Sequence, residues 1–382
     1  MNTPQTHNRP WSPALTAAWL IAVLAAGLAA RLWISTRGHN FDFDSWRITA
    51  ELMAQGKDVY TGTWRYNYGP VWFDILYSLY TLAGHDLVIF HQLLVDLLSA
   101  ADIGIFFVLW RKFGRLPATV FFLNPVSVMI TGYHLQFDNL AILIGMWAVV
   151  EFGDDFEKPL DRRKYSGLVL LGLSLMTKHV LFVFPFWLAV KQRGLSQKFL
   201  IMAIPTAIFL VGFVPYWSVG HAGIIANVFE FQSASGIHSF FYNELVPEFF
   251  RWLGGAKFYW FLFLATIAFV CRRRPGLPTL LIYTGVMVAT SPAILNEYLA
   301  IPAALACVEL GPFFIAYLAL VTAHIAVDIN GPHLFKSIPG GFDDIATICL
   351  FFALIWMLWR PAIIRVMENC RREIYLQLGR DA

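Results

Sequence analysis

Asp42 and Asp44 are the acids in this chain best placed for general-base chemistry. They alternate with Phe41 and Phe43 directly after the first long apolar run, so on an extended chain both carboxylates would point the same way. An aspartate is ionised at neutral pH and becomes a better base when partly buried, so it could deprotonate an acceptor hydroxyl. We rank Asp44 ahead of Asp42 as that base.

The second aspartate of this pair could orient the acceptor or bind a divalent cation such as Mg²⁺ or Mn²⁺. No other cofactor is predicted. The alternative is that both aspartates are solvated loop acids, with Asp44 capping a helix that starts at residue 45.

Lys178, Arg65 and His179 could bind a phosphate. Transfer of a group from a phosphodiester needs cations or N–H donors that hold the departing phosphate. Lys178 is the leading candidate, because a cation in a membrane-embedded turn is costly and usually functional. The alternative for Lys178 is a buried ion pair with an acid such as Asp102.

A polar turn contains His134, Gln136 and Asp138, whose side chains could bind sugar hydroxyls or phosphate. An equally good interpretation is a hydrogen-bonded turn that caps the following helix. Zinc is not favoured, because no third ligand follows at regular spacing. His91 and Asp102 share one face of a predicted helix, and we interpret them as structural contacts between helices.

The composition is that of an integral membrane protein. Of 382 residues, 58% are hydrophobic and only 14% are charged, whereas soluble domains carry about 25% charged residues. The net charge of +3 is too small to indicate a nucleic-acid partner. The first apolar run, 13–34, could be a signal peptide, but it is long enough to span a membrane and we interpret it as an uncleaved anchor.

Hydropathy predicts an all-α polytopic membrane protein, with one domain over residues 1–382 and about twelve membrane segments. The predicted segments are 13–33, 87–109, 117–131, 139–152, 166–177, 180–190, 199–219, 257–271, 277–291, 299–308, 313–327 and 343–360.

The distribution of Lys and Arg predicts that both termini are cytoplasmic. The cytoplasmic face then receives 19 of the 28 basic residues and the opposite face 8, with Arg31 left inside the first span. The extracytoplasmic side receives a first loop, 34–86, and a second large loop, 220–256. Reading 166–190 as a hairpin that turns at Lys178, rather than as one helix, keeps the basic clusters at 191–198 and 272–274 in the cytoplasm.

The arms of this hairpin are too short to cross a membrane. About 12 helical residues extend roughly 18 Å, against a hydrocarbon core of about 30 Å, so the turn should lie below the outer surface. The turn at 133–138 should lie at a similar depth. Irregular backbone is tolerated there only where it lines a protein cavity. We therefore predict a hydrated cavity that opens to the outer face and is covered by residues 41–70.

Residues 45–55 predict an amphipathic helix lying at the membrane interface, with its apolar residues on one side and Arg47 and Glu51 on another. A second amphipathic segment, 71–82, carries aromatic residues that suit the lipid headgroup region.

Short motifs along the chain resemble the GT-C superfamily of membrane glycosyltransferases. The likeness is greatest to its users of polyprenyl-phosphate mannose, such as GPI mannosyltransferase I and the bacterial phosphatidylinositol-mannoside enzymes. It covers the first two-thirds of the chain in order, and the last third only at 296–302. The motifs are Asp42-Phe43-Asp44, Gly56-Lys57-Asp58-Val59-Tyr60, Arg65-Tyr66-Asn67-Tyr68-Gly69-Pro70, Asn124-Pro125, the turn from Gly132 to Asp138, the segment from Gly172 to Pro185, and Asn296-Glu297-Tyr298.

This resemblance implies an inverting glycosyltransferase with a GT-C-like fold in a bacterial inner or plasma membrane. A hexose, with mannose favoured, would pass from a polyprenyl-phosphate sugar donor to a lipid or glycan acceptor on the extracytoplasmic face. Asp44 or Asp42 would be the base. Glu297 and Tyr298 match a position near the donor site of these enzymes, although Glu297 could equally be a plain loop carboxylate.

Other classes of protein remain open. A transporter or flippase for lipid-linked glycans would also need polar groups at mid-membrane depth. Such folds usually contain internal repeats, and the 41–70 stretch has no second copy. A polysaccharide polymerase would rely on extracytoplasmic arginines, which are sparse here. A non-catalytic subunit of a glycosylation complex would be inactive when purified alone.

Overall fold

The protein is helical throughout the part of the chain that the structure describes. The computed structural model describes residues 11–230, 248–292, 295–327, 331–332, 334 and 342–378, with the side chains of all of these except 248–257 and 361–378. No strand occurs within these ranges. The helices are α1 (Pro13–Ser35), α2 (Phe41–Ala54), α3 (Val59–Gly62), α4 (Pro70–Leu82), α5 (Leu87–Phe113), α6 (Arg115–Leu123), α7 (Pro125–Met129), α8 (Asp138–Phe152), α9 (Arg162–Thr177), α10 (Phe184–Ala189), α11 (Leu195–Val211), α12 (Trp217–Gly223), α13 (Glu248–Cys271), α14 (Gly276–Ala289), α15 (Ala303–Glu309), α16 (Pro312–Val327) and α17 (Asp343–Leu378).

A helix lies at each predicted membrane segment, but fewer helices are long enough to span. Three qualify by length and apolar character among the described residues: α1, α5 and the helical run Leu195–Phe229, which contains α11 and α12. A fourth is the pair Arg115–Leu123 and Pro125–His134, if its 45° bend lies within one span. At 16 residues, α9 covers only about 24 Å, which is short of a ~30 Å hydrocarbon core. Within its described residues the chain is therefore all-helical, with three candidate membrane-spanning helices, or four if the bent pair is one span, and a twelve-span bundle is not established.

The second predicted outer loop, 220–256, is described only in part. Its first residues, up to Glu230, continue the helical run from α12, and α13 begins at Glu248. Residues 231–247 lie outside the described residues.

Helices α5 and α8 run side by side in the same direction. Asn139, at the start of α8, donates a hydrogen bond to the Leu98 carbonyl of α5 at 2.9 Å. One turn further along, Leu143 packs on Gly104, where an added Cβ would lie 2.5 Å from the leucine side chain. The chain returns between these two helices through α6, α7 and a π-helical turn, Ile130–His134.

Helix α9 runs antiparallel to α8. Ser174, near its end, donates to the Ala141 carbonyl near the start of α8 at 2.7 Å, whereas Gly167 lies against the Ala148 carbonyl further down. The start of α8 and the end of α9 therefore meet at one end of the bundle, as the predicted pair of polar turns requires.

Residues 36–86 pack over these turns with an aromatic core. Trp46 of α2 donates its indole N–H to the Leu135 carbonyl at 3.1 Å. Trp72 of α4 stacks on Phe137, with ring centroids 4.0 Å apart and planes 7° apart. Residues of the 41–70 stretch contact the turn at 133–138, as its predicted covering position requires. The hydrated cavity predicted beneath it stays a prediction. The prediction that segment 71–82 presents its aromatic residues to lipid headgroups is wrong for Trp72 and Phe73, which are 0% exposed because they fill this core.

Gly69 allows the loop to touch the end of α9. A Cβ at this position would lie 2.0 Å from the Met176 carbonyl oxygen, so the close backbone approach requires glycine.

A buried ion pair joins α1 to α5. Arg31 Nη2 lies 2.8 Å from Asp102 Oδ2, and the same carboxylate accepts from Thr131 at 2.7 Å and from Ser127 at 3.3 Å. Its other oxygen accepts from Asn139 at 2.9 Å. Asp102 is thus a structural contact between helices, as predicted, and its cation is Arg31 rather than Lys178. These hydrogen bonds fix Thr131 and Asn139, which lie just before and just after the turn at 133–138.

His91 has a different environment from Asp102. Its ring lies 5.0 Å from the Phe43 ring and 5.9 Å from the His39 ring, in a tilted or edge-on arrangement. It therefore packs α5 against the start of α2 and takes no part in the Arg31 ion pair.

Candidate functional site

Gln136 connects an acid on the covering loop to a cation at the end of α9. Its amide Nε2 donates to Asp42 Oδ2 at 2.5 Å, and its Oε1 accepts from Lys178 Nζ at 3.0 Å. The three side chains come from α2, the 133–138 turn and the α9 terminus. One amide therefore separates the predicted base from the predicted phosphate-binding cation.

Lys178 is placed by the end of α9, where its backbone becomes extended (φ −150°, ψ 128°). Its ammonium lies 2.7 Å from Asp138 Oδ2 and over the ring faces of Phe137 and Tyr68, at 4.7 and 5.1 Å from their centroids. An ammonium has three N–H donors, and two are used by Gln136 and Asp138. The third makes no hydrogen bond with any described residue.

Asp42 and Asp44 have different environments because the chain is already helical at Phe41. Residues two apart on a helix do not face each other. The prediction that both carboxylates point the same way on an extended chain is therefore wrong. Asp42 is held by Gln136 and by Asn40 Nδ2 at 3.0 Å. The Asp44 side chain is 44% exposed and lies 3.8 Å from Arg47.

The environment of Asp42 raises the pKa of its carboxyl. Burial raises the pKa of the Asp42 carboxyl above its ordinary value of 3.8, and the negative charge of Glu297 adds to the rise. The hydrogen bond from Asn40 and the positive charge of Lys178 oppose it without cancelling it. Asp42 is therefore a stronger base than a solvated aspartate.

Asn40 sets the proton position on His134. Its Oδ1 accepts from the Asp42 backbone N–H at 2.9 Å as the N-cap of α2, which fixes the orientation of the amide. Its Nδ2 therefore faces His134 Nδ1 at 3.1 Å as a donor. This network assigns Nδ1 as an acceptor and places the ring proton on Nε2.

Two buried polar atoms of the 134–138 turn have no hydrogen-bond partner among the described residues: His134 Nε2 and Asp138 Oδ1. The first is a donor under the assigned tautomer, and the second is an acceptor. Such a pair is complementary to hydroxyl groups, which both donate and accept.

Glu297 and Tyr298 reach the same site from a 3₁₀ turn, Asn296–Ala300. Glu297 Oε1 lies 3.8 Å from His134 Nδ1, which is too far for a hydrogen bond. Tyr298 is within electrostatic range of Asp42, Asp138 and Glu297. The structure thus places both residues near Asp42.

Arg65 and His179 lie outside this network. Arg65 donates from Nε to Ser45 Oγ at 3.0 Å and from Nη2 to the Phe41 carbonyl at 2.9 Å. Its guanidinium also lies 3.6 Å from the centroid of the Phe41 ring, so it secures the first turn of α2. The His179 ring lies 6.3 Å from that of Tyr68.

Sequence reasoning missed Asn40 and gave Tyr68 no role of its own. The signal for Asn40 was its type, because asparagine is a favoured N-cap and its side chain then turns back toward the helix start. Tyr68 lay within a quoted motif, but its contact with Lys178 follows only from packing.

Among the described residues, no group of three His, Cys, Asp or Glu side chains is arranged to hold a metal ion. Asp42 and Asp44 have different partners, and binding of Mg²⁺ or Mn²⁺ by one of them stays a prediction.

Comparisons of the chain with protein-family models, with curated proteins and with solved structures give no match.

Proposed function

We propose that this protein is a glycosyltransferase that moves a hexose, with mannose favoured, from a polyprenyl-phosphate sugar to a lipid or glycan acceptor. The observation that carries the proposal is the Asp42–Gln136–Lys178 chain, in which an acid of raised pKa and a buried cation are joined by one amide. Glycosyl transfer from a phosphodiester needs both a base and a group that stabilises the leaving phosphate.

In the proposed reaction, Asp42 accepts the proton of the acceptor hydroxyl while the oxygen of that hydroxyl attacks the anomeric carbon. The bond from that carbon to the phosphate oxygen breaks, and polyprenyl phosphate leaves with the electron pair. Attack from the side opposite the phosphate inverts the anomeric configuration. The free N–H donor of Lys178 stabilises the negative charge on the departing phosphate.

The other polar groups of the site bind the sugar in this proposal. The His134 Nε2 donor and the Asp138 Oδ1 acceptor, both without partners among the described residues, hold hydroxyls. Glu297 and Tyr298 lie near the same side chains. Because Asp138 already pairs with Lys178, a bound phosphate shares the ammonium with that carboxylate.

The proposed architecture is a GT-C-like bundle of about twelve membrane helices. Both termini are cytoplasmic and the site faces the extracytoplasmic side, in the orientation favoured by the 19-to-8 division of basic residues. The helices too short to span alone reach the site as broken or re-entrant segments, whose irregular backbone packs inside the protein.

The test is incubation of the purified protein with polyprenyl-phosphate mannose, glucose and arabinose in turn, each with a membrane lipid extract. Mass spectrometry then follows the glycosylated product and the released polyprenyl phosphate. We expect a hexose donor to be consumed by the wild-type protein and not by D42N, whereas consumption of the arabinose donor alone would contradict transfer of a hexose. Consumption of no donor by folded wild-type protein, or equal consumption by D42N, would overturn the proposal.

A further inference from the structure

A groove between α5 and α8 lies at the end of the bundle opposite the candidate site. It has a volume of about 620 Å³, and its walls include Phe107, Val108, Trp147 and Val150. Phe107 is 36% exposed and Trp147 is 59% exposed, so both aromatic side chains face outward. Because α5 is long and apolar enough to cross a membrane, such a groove on its side would contact acyl chains.

Two cations, Arg111 and Lys112, line the same groove at the last turn of α5. Both are exposed, and neither makes a hydrogen bond or ion pair with any described residue. Glu151, the neighbouring acid at the end of α8, pairs with Arg163 at 3.2 Å. The positive charge at this end of the groove is therefore not compensated.

The opposite end of the groove is closed. Gly104 lies against Leu143 so closely that an added Cβ would be 2.5 Å from the leucine side chain. From Gly104 to Lys112 the helix rises about 12 Å. The groove is thus short and apolar, with contact between the two helices at one end and two cations at the other.

We propose that this groove binds an anionic glycerophospholipid. One acyl chain lies along Val108 and Trp147, and the headgroup phosphate contacts Arg111 and Lys112. A zwitterionic lipid of the same chain length would gain the apolar contacts but less from the cations. Basic pockets between membrane helices recognise anionic headgroups by this charge complementarity. The inference does not depend on the proposed function.

The test is native mass spectrometry of the purified protein with dioleoyl phosphatidylglycerol and dioleoyl phosphatidylcholine at equal concentration. Each cation near an anionic lipid contributes about fivefold, so the two together predict a preference for phosphatidylglycerol on the order of 30-fold. We expect R111Q/K112Q to lose that preference. The matched control, R272Q/R273Q, removes two other adjacent exposed cations and should keep it.

A second variant probes the apolar part. V108W fills the groove and should displace both lipids. Equal retention of the two lipids by the wild-type protein would overturn the proposal. So would unchanged preference in R111Q/K112Q, or an equal loss in the control, which would indicate net charge alone. Displacement of bound phosphatidylglycerol by glycerol phosphate as effectively as by the lipid itself would also overturn it, because the site would then recognise the phosphate alone.

Discussion

Lys178 Nζ lies 2.7 Å from Asp138 Oδ2, and each side chain is only 5% exposed. This pair gives Lys178 a structural partner in addition to the phosphate-binding role proposed for it. The two roles can be separated, because a buried pair replaced as a whole by apolar residues costs far less than removal of one partner.

We expect K178M to destabilise the protein by about 3–5 kcal/mol, since it leaves the Asp138 carboxylate buried without its cation. The double variant K178M/D138L should recover most of that loss, which thermal unfolding in detergent would measure. If Lys178 also binds the donor, the recovered double variant still binds a polyprenyl-phosphate analogue weakly. Wild-type affinity in a stable double variant would contradict the binding role.

Substitution of Asp42 should remove activity, whereas substitution of Asp44 should not. Loss of a general base lowers the rate by about 10²- to 10⁴-fold, so we expect that loss in D42N. D44N is the matched control, because Asp44 lies in the same helical turn but faces solvent beside Arg47. The measurement is the initial rate of product formation. A greater loss in D44N than in D42N would reassign the base.

The pH dependence of the rate should follow the raised pKa of Asp42. Below that pKa the carboxyl is protonated and cannot act as a base, so activity should rise with pH through a midpoint above 3.8. The stability of the folded state should change with pH in the opposite direction. The folded state binds this proton more tightly than the unfolded state, so stability falls as pH rises from 3.8 to the folded-state pKa. D42N should flatten that fall, and unfolding midpoints across pH would reveal it.

N40S should shift the pH profile with little loss of stability. Serine can still cap α2, but it cannot donate to both Asp42 and His134. Because the Asn40 hydrogen bond lowers the pKa of Asp42, its removal should move the midpoint of activity to higher pH. The control is N124S, which changes the N-cap of α7 without touching the site. An unshifted midpoint in N40S would argue against the positioning role of Asn40.

G69A should separate the covering loop from α9. The new Cβ would lie 2.0 Å from the Met176 carbonyl oxygen, and overpacking of this kind costs about 1–3 kcal/mol. G311A is the control, since a Cβ there meets nothing within 4 Å. Comparison of unfolding midpoints tests this. Equal stability of the two variants would mean that the loop can move away from α9 without cost.

The helices themselves were predictable from sequence because the signals are local. Runs of apolar residues mark their positions, and residues such as Asp86 and Gly114 mark the start and end of α5. The polar turns at 133–138 and at Lys178 were equally visible, since polar residues stand out in an apolar chain. The number of membrane spans was not predictable from sequence. A helix too short to cross alone can be a broken span, a re-entrant arm or a buried helix with the same composition.

The choice between Asp42 and Asp44 depended on where α2 begins. Asn40 and Asp44 are both favoured N-cap types, and the sequence does not rank them. The structure caps α2 at Asn40, which brings both aspartates into the first turn and directs only Asp42 to Gln136.

By itself, the sequence determined that this is an apolar helical protein with a few polar side chains in its turns, because hydropathy and helix periodicity are properties of neighbouring residues. Only the tertiary structure decided which of those side chains meet. Asp42 and Gln136 are 94 residues apart in the chain. Lys178 needed an acid, and Asp102 and Asp138 were both available. Packing gave Asp102 to Arg31 and Asp138 to Lys178, because a buried charge requires a partner but does not specify which one.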